Sequence, residues 1–201
     1  MNFDLDPKYL EIQQQARDLT QSIEHLAQEA DASNDIHDGI LEALKSSGLC
    51  DLMVPASFGG RFEKIDPVAI CVVREVLMAT SSHLDSLFAL QGIGSYAVTA
   101  GGSEQQRTKW LPKIASAEVL PALALTEPDA GSDLKSITTE ITVRGDELII
   151  NGTKAFISNA GAASFYVVFA KEDTSFSVVL VPADAKGVTV TPTPELIAPP
   201  V

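Results

Sequence analysis

Positive charge is scarce in this chain. Only 14 Lys and Arg stand against 27 Asp and Glu, giving a formal net charge of −13, and no Lys/Arg-rich run stands out. Nothing here attracts phosphate backbones or anionic headgroups, so nucleic acid and membrane partners are disfavoured and the diffuse negative charge is read as a solubility feature. Cysteine is equally sparse: Cys50 and Cys71 lie in apolar contexts without CxxC spacing, and His25, His37 and His83 have no ligand-like spacing. No metal site is expected; both thiols should be buried, and each histidine should lie at the surface or at a helix cap. No apolar run approaches the ~18 residues of a membrane span, and the opening Met1-Asn2-Phe3-Asp4-Leu5-Asp6 lacks the basic and apolar regions of a secretory leader, so a cytoplasmic protein is expected. Without such a leader, Asn151-Gly152-Thr153 is read as a hairpin turn rather than a glycosylation site. What the chain does have is 201 residues that are 45% hydrophobic and 20% charged, enough for a real core in one ordinary domain or two small ones.

The hydrophobic period changes partway along. Asp6-Pro7 forms an N-cap and first-turn pair, and Ile12, Ala16, Leu19, Ile23, Leu26 and Ala30 then recur at spacings of four and three, predicting one long amphipathic helix. A second helix is predicted from near Asp38 to Gly48, a third from Asp66-Pro67, and a fourth, apolar on most sides, from Ser82 to Ala100. Ser103 and Gln106 make a capping box for a fifth. After Leu120 the period becomes two. Ile137, Thr139, Ile141 and Val143 alternate with polar residues, Gly145-Asp146 and Asn151-Gly152 fall where hairpin turns would lie, and Phe165 to Ala170 and Phe176 to Val181 add two strands. The fold class expected is therefore α+β: an all-helical domain over 1–117, followed by an antiparallel β-domain over 118–201 that has no strand to close it. The last dozen residues are expected to be disordered or edge-like.

Two segments have the composition of a ligand site. Thr126 to Asp133 carries Thr, Pro, Gly, Ser and carboxylates; Gly131 permits close backbone approach, and the amides and hydroxyl of Ser132 suit phosphate oxygens. A plain structural turn explains this segment equally well. Phe156 to Ser158 is predicted as the end of a strand, which would put Phe156 and Ser158 on one face and Ile157 on the other. Taken alone, such a pair is usually a core ring and a strand-end hydroxyl. Gly92-Ile93-Gly94-Ser95-Tyr96-Ala97 matches a dinucleotide fingerprint, but it lies within a helical stretch and is read as accidental.

The strings Leu125-Thr126-Glu127-Pro128 to Ala130-Gly131-Ser132-Asp133, and Asn151-Gly152-Thr153-Lys154 with Phe156-Ile157-Ser158-Asn159, resemble the two signatures of acyl-CoA dehydrogenases. Gly48-Leu49, Val54-Pro55, Gly59-Gly60 and Gly101 to Gln106 with Leu111-Pro112-Lys113 extend the resemblance over nearly the whole chain. It implies FAD as cofactor. The backbone of Leu123, Ala124 and Leu125, with the amide and hydroxyl of Thr126, would face the flavin pyrimidine ring; Gly131 and Ser132 would lie by the pyrophosphate, with Ser132 also close to the pantetheine arm of the substrate. Phe156 and Ile157 would lie at the flavin, with Phe156 packed on its ring system, and the Ser158 hydroxyl would point at N5. Many members carry Trp where Phe156 stands and Thr where Ser158 stands. Glu127 and Asp133 would be structural, orienting backbone N–H groups, and the helix bearing Ala89 and Ile93 would face the acyl tail.

The activity implied is α,β-dehydrogenation of an acyl-CoA thioester to the trans-2-enoyl-CoA, with electrons passing to an electron-transfer flavoprotein and the protein acting as a homo-oligomer or with a partner chain. The catalytic base of the family lies in a C-terminal helical bundle that these residues lack, so no catalytic residue is assigned. Two other readings stay open. One is a short non-catalytic paralogue that needs a partner; the other is an acyl-CoA oxidase or flavin monooxygenase on the same fold.

Overall fold

The computed structural model describes residues 4–192. The helical half consists of α1 (Pro7–Asp31), α2 (Asp38–Ser47), α3 (Pro67–Thr80), α4 (Ser82–Gly101) and α5 (Glu104–Ala115). Their ends are set locally. Asp66 accepts from the N–H groups of Val68 and Ala69, Ser103 and Gln106 form the expected capping box, and Gly48 takes the left-handed conformation at φ 69°. On α1 the expected stripe is buried at Ile12, Ala16, Leu19, Ile23 and Ala30.

The strands are β1 (Pro121–Ala124), β2 (Glu140–Arg144), β3 (Glu147–Asn151), β4 (Phe165–Glu172) and β5 (Ser175–Pro182), in one five-stranded sheet. The α+β class holds, but the sheet is mixed rather than an antiparallel meander. β1 pairs with β4 in parallel, Pro121 opposite Phe165, and β2 touches β4 in parallel at Glu140 and Lys171; only β2–β3 and β4–β5 are antiparallel. The cause is β4, whose start is buried on both faces as a continuous apolar run. Phe165 and Val167 enter the helical core, where the Trp110 and Phe165 ring centroids lie 4.6 Å apart, while Tyr166 and Val168 join Ala122 and Ala124 in a second core. One strand therefore joins the two halves. Residues 183–192 add no strand, and the rest of the expectation for the C-terminal end lies outside the described residues.

Two expectations about single residues are overturned. Cys71 is exposed, because α3 is apolar around most of its girth and periodicity could not say which face meets the core; Cys50 is buried as expected. His83 is 1% exposed rather than at the surface. Its Nε2 accepts the His37 N–H at 3.1 Å, beside the Asp31 carboxylate, which accepts from the Ser81 hydroxyl and the Ser82 and His83 N–H groups. Burial lowers the His83 pKa from 6.5, His37 adds to this, and Asp31 and a hydrogen bond to the Ala30 backbone oppose it. The folded state thus favours the neutral ring, so the unfolded chain takes up the proton first as pH falls below 6.5. Stability measured by urea titration is expected to decline through that window, and His83→Gln, which keeps an acceptor for His37, is expected to flatten the decline.

Candidate functional site

β1 delivers the first predicted segment. Leu123 is half-buried and Ala124 is buried at its end; Leu125 and Thr126 follow, half-buried, and Glu127 begins a turn closed by reciprocal backbone hydrogen bonds with Ala130 at 2.9 and 3.2 Å. Gly131 and Ser132 stand exposed beyond that turn, and a Cβ on Gly131 would meet nothing within 4 Å. Asp133 accepts from the Lys135 N–H and caps a short 3-10 turn, Leu134–Ser136.

Glu127 is the hub of the site. Its carboxylate is 4% exposed; Oε2 accepts from the Thr138 N–H and hydroxyl at 2.6 and 2.7 Å, and Oε1 accepts from the Thr139 N–H and the Lys154 ammonium, both at 2.9 Å. Burial alone would raise its pKa, but the donors of Thr139, Thr138 and Lys154 outweigh that and hold the carboxyl well below its ordinary range. Lys154 Nζ also donates to the Leu125 carbonyl at 2.9 Å, and the Ala155 N–H donates to the Thr126 carbonyl at 2.9 Å. These bonds stitch the two signature segments side by side.

The second segment is not a strand end. β3 stops at Asn151, residues 152–155 have no regular structure, and the β2–β3 hairpin turns at Gly145-Asp146 alone. Gly152 serves close approach instead: a Cβ there would overlap the side chain and Cα of Thr139. Phe156 adopts the left-handed conformation at φ 57°, which ends any strand alternation, and its side chain is left 67% exposed. Ile157 and Ser158 are half-buried, with Ile157 packed against the second core. Asn159 donates to the Pro121 carbonyl at 3.3 Å and Tyr166 donates to the Ala160 carbonyl at 2.7 Å, so with Ala155 held to Thr126 on its other side Phe156 projects from a segment anchored at both ends. A bulky residue held at positive φ with its ring in solvent is strain of the kind that collects at ligand sites.

Of the predicted residues, the structure brings Leu125 and Thr126 next to the segment that carries Phe156, Ile157 and Ser158. No hydrogen bond ties Gly131 or Ser132 to that segment among the described residues. The hydroxyls of Thr126, Ser132 and Ser158 donate to nothing among the described residues either, so all three remain available to a ligand. Sequence reasoning gave Lys154 no role, although it lies inside the second string; a lone lysine has no signal of its own until the carboxylate it meets is known. Ala89 and Ile93, expected on the helix facing the acyl tail, line a cleft of about 400 Å³ between α3 and α4 together with Met53, Ile65, Ile70, Arg74, Gly92 and Tyr96, and sequence reasoning gave those other six no part in it. The Gly92–Ala97 string lies inside α4, where it makes no phosphate turn.

Comparison with known proteins gives the family. Residues 6–118 match the family model "Acyl-CoA dehydrogenase, N-terminal domain" and residues 122–198 match "Acyl-CoA dehydrogenase, middle domain". The chain belongs to the acyl-CoA dehydrogenase family. It is 31% identical over 189 residues to cyclohexane-1-carbonyl-CoA dehydrogenase of Geobacter metallireducens, covering 88% of this chain and 50% of that protein. Among solved structures, an acyl-CoA dehydrogenase complexed with FAD from Bacillus anthracis superposes with TM-score 0.79 at 28% identity, covering 96% of this chain and 34% of that one. Glutaryl-CoA dehydrogenase from Mycobacterium smegmatis superposes with TM-score 0.78 at 32% identity, covering 92% and 48%. The chain thus spans half the length, or less, of each of these proteins. Among the described residues, no helix is long and apolar enough to cross a membrane.

Proposed function

We propose that this chain supplies the flavin- and thioester-contacting half of a FAD-dependent dehydrogenase that converts an acyl-CoA to its trans-2-enoyl-CoA. The observation that carries this reading is Phe156, strained and exposed, locked beside Thr126 by the Lys154–Glu127 staple. The residues fit FAD: an aromatic face at Phe156, unsatisfied hydroxyls at Thr126 and Ser158, and the open backbone of Gly131 and Ser132 for the pyrophosphate. When bound, FAD supplies the hydride acceptor. The chain's own residues position and exclude water: Leu123, Ala124, Leu125 and Thr126 line the pyrimidine side, Ile157 backs the ring site from the second core, and Ser132 also meets the pantetheine arm. Ala89 and Ile93 on α4 flank the acyl tail. Glu127 is committed to four donors and is not free to take the α-proton. In this reading the base is supplied by the helical part of the family fold that the chain's own residues do not provide, and an electron-transfer flavoprotein reoxidises the assembled enzyme, which works as an oligomer. In this reading residues 1–117 and 118–201 are its first two domains.

The test is flavin absorbance together with intact mass of the purified protein after incubation with FAD. Retained flavin with a visible band, reducible by acyl-CoA once a polypeptide bearing the remaining half of the fold is added, is the expected result. Failure to retain FAD even in that mixture would overturn the reading, and rapid reoxidation of the reduced flavin by oxygen would move it to the oxidase class.

A further inference from the structure

The α3–α4 cleft is apolar except at one end. Ile70 and Arg74 share a face of α3, Ala89, Gly92, Ile93 and Tyr96 follow one another along a face of α4, and Met53 and Ile65 complete the lining, while Asp85 lies one turn before Ala89, buried beneath Arg74. Asp85 is 1% exposed and accepts from Arg74 Nε at 2.9 Å and Nη2 at 2.6 Å, whereas the Arg74 side chain is 43% exposed and lines the cleft. A guanidinium carries five N–H donors. Asp85 takes two, and the others have no partner among the described residues. Farther along α4, Gly94 lies against Pro121, the first residue of the strand that carries Leu123 and Ala124, so closely that a Cβ would fall 2.7 Å from its ring. The helical rise between Asp85 and Gly94 is roughly 13 Å.

We propose that this cleft selects an acyl chain whose far end bears a neutral hydrogen-bond acceptor, a hydroxyl or keto oxygen, received by the free N–H groups of Arg74, with the Arg74–Asp85 pair setting the preference. A methyl end would strip water from those donors and give nothing back. A carboxylate end would compete with Asp85, whose buried charge has no other side-chain partner among the described residues, and would bring a second negative charge against it. A neutral oxygen satisfies the donors without disturbing the pair. The inference rests on the reading that the protein takes an acyl thioester, and it deepens that reading to a substrate class.

The test compares binding of decanoyl-CoA, 10-hydroxydecanoyl-CoA and decanedioyl-CoA by titration calorimetry, using the protein together with a polypeptide bearing the remaining half of the fold, with FAD retention read by absorbance on the same samples. The hydroxylated ligand is expected to bind about tenfold more tightly than decanoyl-CoA, as one hydrogen bond to a charged donor supports. Replacing the pair by Arg74→Leu with Asp85→Leu, an exchange of an ion pair for apolar residues that such sites tolerate, is expected to make decanoyl-CoA the preferred ligand. Asp85→Asn, which keeps shape and frees the guanidinium charge, is expected to move the preference to decanedioyl-CoA. Preference for decanoyl-CoA or decanedioyl-CoA in the unaltered protein, no binding of any of the three, or an unchanged order in the variants would overturn the inference. FAD retained alongside any of these leaves the flavin reading intact, while the expected ranking without FAD would sink that reading alone.

Discussion

Glu127→Ala is expected to lower the melting temperature by roughly 10 °C. The substitution leaves the Lys154 ammonium, whose side chain is 10% exposed, without its counter-charge, and strands the N–H donors of Thr138 and Thr139. Breaking one side of a buried ion pair costs about 3–5 kcal/mol, and in a chain of this size each kcal/mol moves the midpoint by about 2–4 °C. The loss should be local in origin: the Leu125–Glu127 and Lys154–Ala155 segments separate first, so amide exchange at Thr138, Thr139 and Ala155 accelerates more than in the helices. The pH dependence has a definite sign. Glu127 has a depressed pKa in the fold, so its contribution is fully present above its ordinary value of 4.5 and is lost as pH falls below that. The acid limb of the stability curve should therefore flatten in the variant. A midpoint within a degree or two of the parent would show that the staple contributes little.

Phe156→Gly is expected to act with opposite signs on stability and on flavin affinity. The left-handed conformation at φ 57° costs a bulky residue about 1–2 kcal/mol and glycine almost nothing, so the flavin-free protein should gain about 1 kcal/mol after the entropy of the added glycine is deducted. The ring is 67% exposed, so little packing is lost from the free protein. In complex with FAD the same ring would stack on the flavin, and its removal should weaken binding about tenfold or more. Phe156→Trp should restore affinity and leave the strain in place. Equal FAD affinity in the parent and the glycine variant, measured by fluorescence quenching of the flavin, would remove Phe156 from the site.

The parts of this protein that were legible before the fold share one property: their causes lie within a few residues of their effects. Asp66 caps two amides just ahead of it, Ser103 and Gln106 satisfy each other across one turn, and Gly48 is left-handed because the chain must leave α2 there. The candidate site was legible only in part. The strings that contain Thr126 and Phe156 point to both residues, yet the strand expected around Phe156 is absent, because the backbone leaves the sheet after Asn151 and alternation ends there. Cys71 was misjudged because a helix apolar on most sides carries no periodic signal of which side faces out.

The sequence by itself determined the order of helices and then strands, the positions of the helix caps and of the Gly145-Asp146 turn, and the two segments that mark the family, since short-range hydrogen bonding and local conformational preference suffice for these. Only the tertiary structure decided that β1 lies parallel to β4, that Lys154 reaches Glu127, that His83 is sealed between Asp31 and His37, and that buried Asp85 holds the Arg74 side chain that lines the cleft. Each of these joins residues far enough apart in the chain that local preference is silent. Their energies come from burying particular faces together, which is settled when β4 enters both cores at once.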